Sequence, residues 1–196
     1  MKAFVRHERD RQRRLHGQAR TAIRSRRCDR ARDATLICTS DSHTFAGGIG
    51  PRENLTLGHE GVGVVHEVGS EVEHLQPGDR VLAGAITPDW GSLASQNGYP
   101  SQPGQALGGF KFANIKDGVF AEYFHVNDAE ANLATIPDNI PDEVAVYCAG
   151  MMSTGFMGAE HGNIPIGGTV AVIAQGPVGL MSTVGARLRG VVRRHA

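Results

Sequence analysis

Between Ala34 and Asp138 the apolar residues come in short runs, each closed by glycine, proline or a polar turn residue. "GVGVVHEVGSEV" (61–72) mixes valine with turn residues, and "LQPGDRVLAG" (75–84) is a Pro-Gly-Asp turn running into a strand. "GVFAEYFHV" (118–126) alternates aromatic and small side chains, and "NLATIPD" (132–138) is a short strand stopped by Pro137. Such segments fit a pleated, half-buried surface. They predict a small, irregular β-barrel with no internal repeat. The stretch from Thr87 to Gly109, rich in Gly, Ser, Pro and Gln, reads as a long surface loop.

The character changes after Pro141. "DEVAVYCAGMMSTGFMGAEHG" (142–162) predicts a helix in its first half, with Asp142 as N-cap and Glu143 in the first turn. "GGTVAVIAQGPVGLMSTVGARLRG" (167–190) then gives an apolar strand, a Gly-rich turn and a helix, the start of a βαβ unit. Only "VVRRHA" follows, so the expectation is one strand and one helix with apolar faces uncovered. The fold class is therefore mixed α/β, with domains over 1–150 and 151–196.

One segment fits neither half. "MKAFV" begins like a strand, but residues 6–33 carry eleven arginines, almost no large apolar residue and no period of 2 or 3.6, so they can bury no face. Their abrupt edges suggest a stretch read in the wrong frame and then restored, with "VVRRHA" a second out-of-register ending. A basic arm for nucleic-acid phosphates is the functional alternative, but it lacks interleaved aromatics. Over the whole chain Lys plus Arg equals Asp plus Glu, at 20 each, which gives no reason to expect nucleic acid or an acidic membrane as partner. Three cysteines are too few for a disulfide framework and point to reduced thiols in a cytoplasmic protein. No apolar run is long enough to span a bilayer.

The chemistry concentrates in "CTSDSHTFAGGIGPRENLTLGHE" (38–60). Cys38 and His59 offer thiolate and imidazole, Zn2+ ligands that would converge if the loop folds back, and Glu60 adds a carboxylate as a further ligand or a supporting one. Between them stand Ser40 and His43. A hydroxyl beside a metal-bound alcohol can pass a proton to an imidazole whose pKa suits neutral pH. In "TVAVIAQGPVG" (169–179), Ala174, Gly176 and Gly179 fill the three places of a dinucleotide-binding turn. Pro177 and Val178 would open the helix whose free N–H groups face the phosphates.

Taken in order, "ICTSDSH", "LTLGHEGVGVVHEVGSEVEHLQPGDRV", "TPDW", "KDGVFAEYFHVNDA", "MMSTGFMGAE" and "VAVIAQGPVGLM" resemble the zinc-dependent medium-chain alcohol dehydrogenases, in their secondary-alcohol branch. The resemblance covers about Ala34 to Gly190. It implies a GroES-like barrel catalytic domain joined to a Rossmann domain, zinc, NAD or NADP, and a small alcohol or ketone as substrate. It also implies a family-like homo-oligomer. Cys38, His59 and Glu60 match its zinc ligands, Ser40 and His43 its proton relay, Ile86 and Phe110 its substrate pocket, and Ala174, Gly176 and Gly179 its cofactor turn. The branch's aspartate ligand just before "MMSTGF" is Gly150 here, and Cys148, two residues upstream, would point about 200° away on a helix. With that ligand and most of the Rossmann sheet missing, the expectation is an impaired or inactive dehydrogenase. A zinc-independent quinone-reductase relative and a non-enzymatic remnant are the competing readings.

Overall fold

The computed structural model describes residues 34–50, 54–103 and 107–191, with the backbone of Thr21–Arg24 and Arg193–His195. The strand expected at residues 1–5 lies outside the described residues, as does all of the Arg-rich segment except Thr21–Arg24. The chain divides into two compact units, Met1–Val146 and Tyr147–Ala196.

In the first unit, β1 (Thr21–Arg24) is followed by helix α1 (Thr39–Phe45), β2 (Gly61–Glu67), β3 (Arg80–Ala83) and the single-turn α2 (Leu93–Gln96). Then come β4 (Tyr123–Val126), the short α3 (Ala129–Asn132), β5 (Leu133–Thr135) and α4 (Asp142–Ala145), which tightens into a 3-10 turn over Val146–Cys148. The strands form one five-stranded antiparallel sheet in the order β4-β1-β2-β3-β5. Four of these strands are those read from the sequence. β1 is a correction. A four-residue run inside the Arg-rich segment sits between β2 and β4, pairing with both. Thr21 and Ile23 are β-branched, and two strand edges satisfy the backbone whatever the side chains contribute.

Successive side chains of a strand point to opposite faces, and here both faces carry buried apolar residues. Val65, Val81, Phe112, Phe124 and Val126 belong to one buried cluster, and Val62, Ile136, Ala145 and Val146 to another. In β3, Val81 and Ala83 face the first cluster while Leu82 packs on the second. Arg80, next in line, donates to the Asp142 carboxylate at 2.6 Å and to the carbonyls of Pro137 and Ile140, tying β3 to the start of α4. That bond corrects the role expected for Asp142. Pro141 is the N-cap, and the Asp142 side chain is spent on Arg80.

Residues 87–109 are mostly irregular, as expected, but they are not simply a surface loop. Thr87 and Pro88 are buried, and Trp90 Nε1 donates to Asn132 Oδ1 at 2.8 Å.

The second unit holds α5 (Met151–His161), β6 (Thr169–Ala171), α6 (Pro177–Leu188) and β7 (Arg193–His195). The first half of 142–162 is helical as expected, over α4 and the 3-10 turn, and a longer helix, α5, fills the second half. Gly150, at φ −140°, breaks the run between the 3-10 turn and α5. Helices α5 and α6 approach closely because small residues face each other: a Cβ on Gly155 would lie 2.6 Å from Met181 Cβ. A second strand does follow α6. β7 pairs in parallel with β6, so the strand–helix–strand unit closes within "VVRRHA". Large apolar side chains stay uncovered, with Ile166 97% and Ile173 92% exposed. Among the described residues no helix is long and apolar enough to cross a membrane.

Candidate metal centre

Two backbone pairings bring residues 38 and 59 together. Residues 34–38 run antiparallel to 58–62: Leu36 N donates to Glu60 O at 3.2 Å, Val62 N to Ala34 O at 2.9 Å, and Thr35 bridges Gly61. Residues 56–58 are pinned on their other side by Gly118, Val119 and Phe120, whose N–H groups donate to Thr56, Gly58 and Leu57. Gly58 is required here. Its φ is +91°, and a Cβ would sit 2.3 Å from the Phe120 ring. His59 leaves this junction buried, at 4% exposure.

Cys38 caps helix α1, so Ser40, Asp41 and His43 lie on a helix where the sequence reading had a Gly-rich loop. Asp41 organises the centre, a role the sequence reading did not assign. Its Oδ1 accepts from His59 Nδ1 at 3.1 Å and from Gly58 N at 3.2 Å, and its Oδ2 accepts from Cys38 N at 2.9 Å. The signal was present: an acid three residues after a helix N-cap is the reciprocal half of a capping box. With Nδ1–H committed to Asp41, the neutral ring keeps its lone pair on Nε2, which faces Ser40 Oγ at 3.2 Å. The Phe110 ring packs against the imidazole in a T-shaped contact, with centroids 5.1 Å apart and ring planes at 69°.

Burial works against charge on His59. The Asp41 hydrogen bond and charge, with Glu60 and Cys38, outweigh it and hold the imidazole above its usual range. Burial raises Glu60, opposed by His59 and reinforced by Asp41. Glu60 is 2% exposed, and its Oε2 has no hydrogen-bond partner. A buried carboxylate oxygen without a donor is costly and asks for a cation. A thiol, an imidazole nitrogen and an orphaned carboxylate oxygen are donor types that a divalent ion takes. They are not closed as a set, and among the described residues no three His, Cys, Asp or Glu side chains converge on one point.

The other expected residues fall as follows. Ser40 reaches His59. His43, three residues on along α1, is exposed. Ile86 is 40% exposed and packs beside Gly109, next to Phe110. In the second unit, Gly150 is the N-cap of α5 and has no side chain, while Cys148 is exposed with Sγ 3.5 Å from Met152 Sδ.

The Gly-rich turn joins β6 to α6, with Gly176 as N-cap and Pro177 in the first turn. A Cβ on Gly179 would lie 1.9 Å from Ala174 O, so the helix packs on the turn only through glycine. A Cβ on Gly176 would meet nothing within 4 Å, which leaves room for a ligand above the free N–H groups of Val178 and Gly179. Ala174 holds a left-handed φ of +69°, where glycine is the easier residue.

The antiparallel sheet and the strand–turn–helix–strand unit that follows it define a class: a GroES-like domain followed by a βαβ unit. Residues 32–138 match the alcohol dehydrogenase GroES-like domain. The chain belongs to this family. It is 59% identical over 161 residues to the NADP-dependent isopropanol dehydrogenase of Thermoanaerobacter brockii, covering 82% of this chain and 46% of that protein. To the NADP-dependent isopropanol dehydrogenase of Entamoeba histolytica it is 57% identical over 164 residues, covering 83% and 45%. Among solved structures, the apo form of zinc-dependent alcohol dehydrogenase 2 from Streptococcus pneumonia matches with a TM-score of 0.79 at 27% identity, covering 98% of this chain and 54% of that one. The chain spans about half the length of the relatives it matches.

Proposed function

We propose that this chain carries the metal-binding and proton-handling half of a zinc-dependent dehydrogenase that interconverts secondary alcohols and ketones with NADP(H). The observation that carries the proposal is the partnerless Glu60 Oε2, buried next in sequence to an imidazole that Asp41 already engages. Cys38, His59 and Glu60 would hold the zinc, which when bound supplies Lewis acidity toward the substrate oxygen. Asp41 fixes the His59 tautomer so that Nε2 is the free nitrogen. Ser40 Oγ, 3.2 Å from that nitrogen, takes the hydroxyl proton and hands it toward His43, which is exposed and exchanges with water. The open N-terminal turn of α6, over Gly176, Val178 and Gly179, binds cofactor phosphate, with Ala174 and Pro177 shaping the turn. NADP is favoured over NAD by the names of the relatives.

The test is zinc content and NADP+-dependent oxidation of 2-propanol, measured on the purified chain and on Cys38→Ser. The expected result is about one zinc per parent chain, lost in the variant, with turnover far below that of a full-length relative because Gly150 supplies no ligand. A parent chain that takes up no zinc would overturn the proposal. Zinc uptake that Cys38→Ser leaves intact would overturn the ligand assignment.

A further inference from the structure

We propose that Asn114 and Lys116 are positioning residues of the metal centre: they clamp the turn 111–116 so that Phe110, immediately before it, stands edge-on against His59. This builds on the reading of Cys38, His59 and Glu60 as a metal pocket, and adds two residues that touch neither metal nor alcohol.

The turn is tight and strained. The Lys111 carbonyl accepts from three N–H groups, those of Asn114 at 3.3 Å, Ile115 at 3.0 Å and Lys116 at 3.1 Å. Ala113 takes a left-handed φ of +55°, unfavourable for any residue with a Cβ. Strain of this kind persists where the surroundings over-determine the backbone. Two side chains do so, pulling in opposite directions. Asn114, 7% exposed, donates Nδ2 to the Phe110 carbonyl at 2.8 Å and to that of Leu107 at 3.4 Å. It therefore fixes the peptide plane that aims the Phe110 ring. Lys116 ties the far end of the turn to the sheet: its Nζ donates to His125 O, in β4, at 2.9 Å and to Asn127 Oδ1 at 3.0 Å. The same nitrogen lies 4.3 Å from the Phe112 ring centroid. Two oxygens and one π face thus match the three donors of an ammonium group. Asn127 is itself held, donating to Thr87 O at 3.2 Å.

A lysine is an odd choice for stability at this place. Burial, with the charge of Lys111, lowers Lys116 to about 7, and only Asp128 opposes. An apolar residue would avoid that desolvation. What the ammonium adds is direction, because its donors lock the turn in one place. The outcome is read at Phe110, whose ring packs against the imidazole in a T-shaped contact. A shift of the turn would let water reach His59 and change the room beside the metal.

The test is NMR of the full chain with labelled histidine, metal-free, with the His59 ring signals identified by their loss in His59→Gln. Phe110→Leu sets the reference by removing the ring current on His59. Lys116→Met and Asn114→Ser are each expected to move the His59 signals in the same direction as Phe110→Leu, and to add nothing in combination with it. Circular dichroism establishes that each variant is folded. If Lys116→Met does not fold, Asn114→Ser carries the test. A folded variant with His59 signals at the parental position, or with shifts additive to those of Phe110→Leu, overturns the clamp. A Co2+ titration of the same parental sample separates the two ideas, since failure to bind metal refutes the pocket and leaves the ring-current result standing.

Discussion

Replacing Asp41 by asparagine tests the hub of the centre. The parental carboxylate accepts three hydrogen bonds while only 4% exposed: Cys38 N at 2.9 Å, His59 Nδ1 at 3.1 Å and Gly58 N at 3.2 Å. An asparagine of the same shape keeps its oxygen toward His59 and Gly58 and turns an NH2 group toward the Cys38 N–H. Donor then meets donor. One charge-assisted bond, worth about 1.5–3 kcal/mol, is lost, and the remaining two weaken with the charge, so the expected loss is about 2–4 kcal/mol by urea unfolding of metal-free protein. The same substitution has a signature in pH. In the parent the folded pKa of His59 is raised, so the stability it contributes is complete below about 6.5 and is lost as pH rises through the folded value. Without the Asp41 charge, and with a weaker bond to Nδ1, burial counts for more and that alkaline loss shrinks. A variant within about 0.5 kcal/mol of the parent, with the His59 titration unmoved, would refute the reasoning.

Three further outcomes are expected. Glu60→Gln removes a carboxylate whose folded pKa is raised, a group that costs stability as pH climbs above its unfolded value; the metal-free variant therefore melts higher than the parent at pH 7 while its metal uptake weakens. Arg80→Met strands the Asp142 carboxylate, 3% exposed and already holding one partnerless oxygen, and lowers stability by about 3–5 kcal/mol in urea unfolding, the range for breaking a buried ion pair. In the second unit, Ala174→Gly relieves a left-handed alanine and stabilises by about 1 kcal/mol, whereas Gly179→Ala forces a Cβ onto Ala174 O; protease resistance of the 147–196 region separates the two.

Much of the barrel was legible because its signals are local. Strands β2, β3, β4 and β5 sit where period-2 runs meet Gly and Pro turns, and Pro177 marked the start of α6. What escaped the sequence was set by distant partners. Thr21–Arg24 looks like nothing in its Arg-rich surroundings and becomes a strand because β2 and β4 flank it. Asp142 reads as an N-cap, yet an arginine 62 residues away claims it. The first half of 142–162 is helical as its sequence reads, but α5 escaped because Gly155, a poor helix former, is the contact that admits α6. At the site, Cys38 and His59 could be paired from their motif. Asp41 could not be ranked above Ser40 and His43 without seeing that one carboxylate serves both ends of the loop.

The account depends on Cys38, His59 and Glu60 gripping a single divalent ion. Co2+ titration of the metal-free chain, followed by optical absorption, tests this directly, because only a thiolate ligand gives an intense sulfur-to-cobalt charge-transfer band. The expected result is that band, saturating at about one equivalent, absent in Cys38→Ser and weakened in Glu60→Gln. A parental chain that shows only the pale spectrum of hydrated Co2+ would contradict it.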